Sequence, residues 1–418
     1  MRSTNQQRDR SPCGRDTNIV SDVRKKGKFS TMSKRKRTPS GAYAQNWPVY
    51  RAARVNEKRY FPWLLKELCQ EIEEPEQSTG RKPFSLKDMV FSSISKVYST
   101  FSSCRFQPDL QDAQAKKLIQ QAPTANTLSG YLRNEKLTTA LQTLITKSSL
   151  PLAKNENVFA VDSTALSAPH KRFWFNRHTG RRERRRDYVK LHVMCGVNSN
   201  VITSAEVSEG TANDSPYFKQ LVERTARYFE ISEVSADAAY ISSNNRRVVI
   251  LAGGIPYIAF RRNSSLDAAY KSTHWKEMLY LFKNRQPEFT EHYNLRNNVE
   301  ATFSAVKAKH DHRLRSKSPR GQINEALCKV ICHNICVLIQ SMYELKIDPT
   351  SWSGAKLTPM ATSGSISRAL TEREADLVAI RIAAADQERL VRQGSVEEEE
   401  YIAGAENALV SNQILLFE

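Results

Sequence analysis

The 418-residue sequence is poor in cysteine, with only seven. Cys13, Cys69, Cys104 and Cys195 are widely scattered, which excludes a dense disulfide scaffold and fits a reduced, intracellular chain. It also lacks any apolar run of the ~18 residues that a bilayer-spanning helix needs. The best candidate, Val248 to Phe260, is interrupted by Gly253, Gly254 and Pro256. The N-terminus has no apolar h-region and so does not read as a secretory signal. Internal repeats are absent as well. The last shortage is of negative charge: 44 Asp and Glu stand against 63 Lys and Arg, a net of +19.

That imbalance is local. Residues 1–42 hold 12 basic and 3 acidic residues, and residues 171–190 hold 9 and 2. Residues 349–418 reverse the sign, with 6 basic against 11 acidic. A body this basic implies a polyanionic partner, nucleic acid before an anionic membrane surface.

Four segments follow from composition and periodicity. Residues 1–42, low in apolar residues and carrying Lys34-Arg35-Lys36-Arg37, read as a disordered basic arm. Residues 43–152 read as a helical domain, a candidate reader of DNA ends. It has apolar helical spacing from Arg59 to Ile72, and a capping-box pattern, Ser85 to Asp88, opens a helix to about Phe101. Further helices are expected near Thr127 and from about Lys136 to Thr146. Residues 153–346 alternate strands and helices. Val158 to Val161 is an apolar strand ending at Asp162, and Tyr188 to Val197 with Val201 to Val207 form a hairpin around Asn198-Ser199-Asn200. A helix after Asn213, a strand Val234 to Ala236 ending at Asp237, a helix Asn244–Leu251, a strand Ile255 to Phe260 and helices Glu291–Lys309 and Gln322–Leu345 follow. The class is α/β, layered. Residues 347–418 form an acidic tail, partly helical.

Cys328, Cys332 and Cys336 recur every fourth residue beside His333, so a metal site has to be weighed. Leu327, Ile331, Ile335 and Leu338 share that stretch, and an apolar helix with cysteine as a small hydrophobe is the better reading.

Asp162 and Asp237 each close a short apolar strand, where open α/β sheets gather ligands and catalytic groups. Either one alone reads as a turn or cap residue. A third acid changes the weight: Glu300 lies in Tyr293-x2-Arg296-x3-Glu300-x6-Lys307. At 100° per residue the four positions fall within a stripe about 60° wide. Phosphodiester chemistry needs charge neutralised on phosphorus and an activated attacking oxygen. Two Mg²⁺ ions held by hard carboxylate ligands supply both.

These residues carry a resemblance. The sequence resembles bacterial and archaeal insertion-sequence transposases of the DDE type, in the group with the Tyr-x2-Arg-x3-Glu-x6-Lys signature. The supporting blocks are VDST at 161–164, DYVKLHV at 187–193, NDSPYF at 213–218 and ADAAY at 236–240. The resemblance covers about residues 155–345 and implies a ribonuclease H-like core with a central mixed sheet flanked by helices, preceded by a mainly helical N-terminal domain. It implies Asp162, Asp237 and Glu300 as catalytic metal ligands for two Mg²⁺ ions, with Mn²⁺ able to substitute. Tyr293, Arg296 and Lys307 are then DNA contacts. Terminal inverted repeats and target DNA are the implied partners, bound by a homodimer. The implied setting is the cytoplasm and nucleoid of a prokaryotic host, with no membrane. Asp237 and Glu300 are 63 residues apart, too few for the large β insertion of some relatives. The alternatives are a catalytically inactive DNA-binding relic or regulator, and a Mg-dependent nuclease without strand transfer.

The basic segment after Asp162 adds Trp174 as a candidate base-stacking residue. Arg177, Arg181, Arg182, Arg184, Arg185 and Arg186 are candidate phosphate contacts. Of the other acids Asp187, Glu206, Glu209 and Asp214, Asp214 competes most strongly, and its Asn-Asp-Ser-Pro context reads as a helix cap.

Overall fold

The computed structural model describes residues 46–74, 83–169, 188–261 and 273–349. The basic arm, the 171–187 segment with Trp174 and its arginines, and the acidic tail from residue 350 lie outside the described residues.

Five helices come first: α1 (Trp47–Gln70), α2 (Leu86–Ser99), α3 (Gln107–Ala115), α4 (Ala125–Tyr131) and α5 (Glu135–Ser149). The first starts twelve residues before the apolar spacing does. The Asn46 side chain accepts from the Val49 N–H at 3.3 Å, and Pro48 fits the first turn, where its missing N–H costs nothing. Ser85 caps α2 as expected, accepting from the Asp88 N–H. The box is not closed: the Asp88 carboxylate turns inward and accepts from the Gln120 and Gln121 N–H groups. Helix α3 has no counterpart among the expected helices.

The sheet contains β1 (Val158–Ser167), β2 (Tyr188–Gly196), β3 (Ile202–Glu209), β4 (Glu233–Ala236) and β5 (Ile255–Ile258), in the order β3-β2-β1-β4-β5. The first three strands are antiparallel neighbours; β4 and β5 run parallel to β1. Helices α6 (Ser215–Ala226) and α7 (Ser243–Leu251) connect them. Then come α8 (Thr273–Asn284), α9 (Gln286–Tyr293), α10 (Asn297–His310) and α11 (Pro319–Glu344). A mixed sheet in this order with helices on both faces is the ribonuclease H-like α/β core anticipated above.

Alternation along β1 divides the interior. Phe159 and Val161 enter one apolar cluster with Phe218, Leu221 and Val222 of α6. Ala160 and Leu166 enter the other, with Val299, Phe303 and Val306 of α10 and the apolar side of α11. Residues on both sides of position 152 share this second cluster, since α1, α2 and α5 pack on α11 there.

Helix α11 is long and apolar enough to cross a membrane by length and composition, yet it is mostly buried inside the protein. Cys328, Cys332 and Cys336 are buried in its apolar contacts, with their thiol pKa values pushed up by that burial.

Two expected boundaries are corrected. Strand β1 does not end at Asp162; it continues to Ser167 because β2 pairs with it over its whole polar half. The helix expected over Glu291–Lys309 is three pieces: the end of α9, a 3-10 turn at Asn294–Arg296, and α10. Tyr293, Arg296 and Glu300 therefore do not lie on one continuous helix.

Candidate active site

The parallel ladder between β1 and β4 ends at the pair Val161 and Ala236. Asp162 and Asp237 are the next residue on each strand, so the ladder delivers them side by side. Each carboxylate is held locally: Asp162 Oδ1 accepts from the Ser163 N–H at 2.8 Å, and Asp237 Oδ1 from the Ala238 N–H at 2.6 Å. Asp162 lies on the α10 face of the sheet, by the same alternation that sends Ala160 there.

Helix α10 is seated by Val299, Thr302, Phe303, Val306 and His310, all buried at helical spacing. That seating leaves Glu300, whose side chain is 59% exposed, at its rim. Arg296 connects the groups. One guanidinium nitrogen donates to Asp162 Oδ2 at 2.7 Å and another to Glu300 Oε1 at 2.9 Å. The same guanidinium lies 5.9 Å from the centre of the Tyr293 ring. Across the 3-10 turn Arg296 thus keeps Tyr293 and Glu300 on its own face, as the stripe implied, while also reaching Asp162.

The electrostatics agree with the geometry. Burial raises the Asp162 pKa above the usual carboxylate value; Ser163 and Arg296 oppose that shift, and Asp237 and Glu300 reinforce it. Burial also raises the Tyr293 phenol, with Arg296 opposing and the two aspartates adding. Asp162, Asp237, Glu300, Arg296 and Tyr293 thus form one interacting group. Lys307 stands two helical turns beyond Glu300, about 10 Å along the axis, half-buried and with no ion pair among the described residues.

Residues 153–335 match the family model described as transposase DDE domain. This stretch is a DDE-type transposase domain. No curated protein matches the chain.

Around the acids of the DDE domain, the structure gives Asp214 partners that the sequence did not single out, Lys190, Ser163 and His192. Asp214 stands at the start of α6 but makes no capping bond, so its reading as a cap is corrected. Its carboxylate accepts from Lys190 Nζ at 2.9 Å and Ser163 Oγ at 3.1 Å, with His192 Nδ1 at 3.5 Å. Ser163 follows Asp162 and faces the opposite side of the strand, so this cluster braces the strand from behind. Burial holds the His192 pKa down to about 4, against the pull of Asp214. The signal available in sequence was Lys190 and His192 alternating on one face of an apolar strand. Glu206 is engaged elsewhere, by Gln142 and Arg224.

Asp162, Asp237 and Glu300 present hard oxygen donors with mutually repelling charge, a set suited to Mg²⁺ or Mn²⁺. Among the described residues no three His, Cys, Asp or Glu side chains form a ready metal-holding group. Arg296 bridges Asp162 and Glu300 instead, its guanidinium supplying the positive charge.

Proposed function

We propose that the chain cuts DNA at the ends of a mobile element and joins the freed ends to target DNA, using divalent metal held by Asp162, Asp237 and Glu300. The observation that carries this reading is the pair of aspartates just beyond the last pair of the parallel β1–β4 ladder, with Glu300 tied to Asp162 through Arg296. Mg²⁺, when bound, would neutralise charge on the phosphoryl oxygens and activate the attacking water or 3′-hydroxyl.

The chain's own residues supply the rest. Asp162 is fixed within β1 by its ladder to β2, Asp237 by the end of β4, and each by a local N–H bond, so their geometry is set before any ligand arrives. Glu300, at the rim of α10, is the carboxylate free to close onto the other two. Arg296, bonded to Asp162 and Glu300, would be available to a phosphate oxygen once those carboxylates held metal, since a guanidinium binds either in the same forked geometry. Tyr293, beside it, donates to a phosphate or stacks on a base, and Lys307 meets the backbone farther along the strand. Terminal inverted repeats and a target duplex are the proposed DNA partners, with two copies of the chain holding the paired ends.

The test is cleavage of DNA carrying the sequences that flank the coding region, in Mg²⁺. Asp162→Asn and Glu300→Gln should abolish cutting and leave binding largely intact; full nicking by either variant overturns the assignment. Binding without cleavage by the unsubstituted chain would favour a DNA-binding relic or regulator, and cleavage without end joining a nuclease.

A further inference from the structure

Helix α11 contributes more buried residues than any other described element, yet Glu325 and Lys329 lie inside it at 3% and 1% exposure. Burying charged groups costs several kcal/mol each unless their bonds are satisfied. Here both are satisfied by one short segment. Lys329 Nζ donates to the carbonyls of Asp311 at 2.6 Å and Arg313 at 2.8 Å. The Glu325 carboxylate accepts from the Arg315 N–H at 2.9 Å and the Ser316 N–H at 2.8 Å. Between these anchors Leu314 is buried, and its N–H donates to the Ser167 carbonyl at the end of β1. The Ser167 N–H returns a bond to the His312 carbonyl. The backbone from Asp311 to Ser316 is thus held from below by α11 and from the side by β1.

The side chains left outside are His312, Arg313, Arg315 and Lys317, all exposed. Across from Arg315 stands the α2–α3 turn, which begins with Thr100 in the left-handed region at φ 59°. Arg315, Arg105, Thr100, Phe101 and Ser102 line an open cleft of about 440 Å³. Neither guanidinium has an ion pair among the described residues, and Phe101 is 47% exposed. Two unpaired guanidinium groups facing two hydroxyl groups suit a phosphodiester, and an exposed aromatic ring suits a base. The cationic row continues along the pinned loop, which fits a polyanion better than a small anion.

Building on the transposase reading above, we propose that this cleft is a second DNA site. It takes a backbone phosphate between Arg105 and Arg315, with Phe101 against a base of the same strand. Ser167, which anchors the loop, is five residues from Asp162 on one strand, about 16 Å at the rise of a β-strand. Because the loop backbone is already fixed, binding need not order the main chain that carries Arg315.

The experiment uses the full chain and a fluorescent duplex of arbitrary sequence, titrated over a range of salt concentrations. Arg105→Ala with Arg315→Ala should lower the slope of log affinity against log salt by about 1 in total, the single phosphate that the pair holds. Affinity at low salt should fall about tenfold, and the melting temperature should stay unchanged. Arg54→Ala, an exposed arginine on α1, should change neither slope nor affinity. Phe101→Ala should weaken single-strand binding about fivefold or more while sparing a blunt duplex; equal binding would remove the ring from the site. A wild-type slope in the double variant overturns the proposal even if Asp162→Asn still abolishes cleavage. An unsubstituted chain that binds no DNA overturns both readings.

Discussion

The acidic centre and the loop at 311–316 lie along one strand and use charge in opposite ways. At the centre the acids gather on one side of the sheet, and a single arginine bridges two of them. At the loop two opposite charges are buried in α11, and their partners are main-chain groups. The first arrangement leaves like charges short of a counter-ion, which is what a metal site requires. The second fixes a backbone so that cationic side chains project outward. One region is poised to change on binding and the other is fixed in advance.

The sharpest way to break this contrast is to remove the acids. Asp162→Asn, Asp237→Asn or Glu300→Gln should lower DNA cleavage about a thousandfold or more, the effect of losing several kcal/mol of metal-borne stabilisation. Thermal melting should hold steady or rise, since each change relieves repulsion among carboxylates. Lys329→Met should do the reverse. It leaves two carbonyls unpaired and Glu325 without a neighbouring positive charge, for a loss of about 3 kcal/mol in denaturant unfolding. Mg²⁺ affinity per folded molecule should stay unchanged.

A third prediction separates buried charge that is matched from buried polarity that is not. His310 is 3% exposed, neither ring nitrogen has a hydrogen-bond partner, and burial lowers its pKa to about 3, helped by His333, Lys309 and Lys329. Between that value and the unfolded value near 6.5, the unfolded chain binds a proton that the folded chain refuses. Stability therefore falls as pH drops through this window, by up to about 1.4 kcal/mol per pH unit for this residue. His310→Leu should flatten the melting-temperature profile between pH 6.5 and pH 4 and preserve stability at pH 7. His192 and His333, with pKa values lowered to about 4 by burial, keep the remaining slope. The smallest effect belongs to the brace behind Asp162. Asp214→Asn removes its largely buried pairing with Lys190 and should cost about 1 kcal/mol of stability, with a larger loss in cleavage than in DNA binding.

Much of the core was legible in the sequence because it rests on local signals. The hairpin of β2 and β3 was marked by Asn198-Ser199-Asn200, α7 by its apolar run, and both aspartates by the strands they follow. The misses share a physical cause. The polar half of β1, Asp162-Ser163-Thr164, does not look like strand; its ladder partner β2, some thirty residues away, makes it one. The 3-10 turn at Asn294–Arg296 contains neither proline nor glycine. No local residue marks it. Glu325 and Lys329 sit in an apolar helix, and periodicity treats such charges as a solvent face when they are pointing at another segment's backbone. Local pattern finds elements, while contacts across the chain decide where they bend.

The extension of β1 beyond its parallel partner has one more consequence. The same uninterrupted strand carries Asp162 at one point and the anchor of the cationic loop at its end. A covalent strand neither stretches nor slips without breaking its ladder to β2, so it serves as a gauge. If both sites hold one DNA strand, the scissile bond falls at a set distance from the gripped phosphate, whatever the sequence between them.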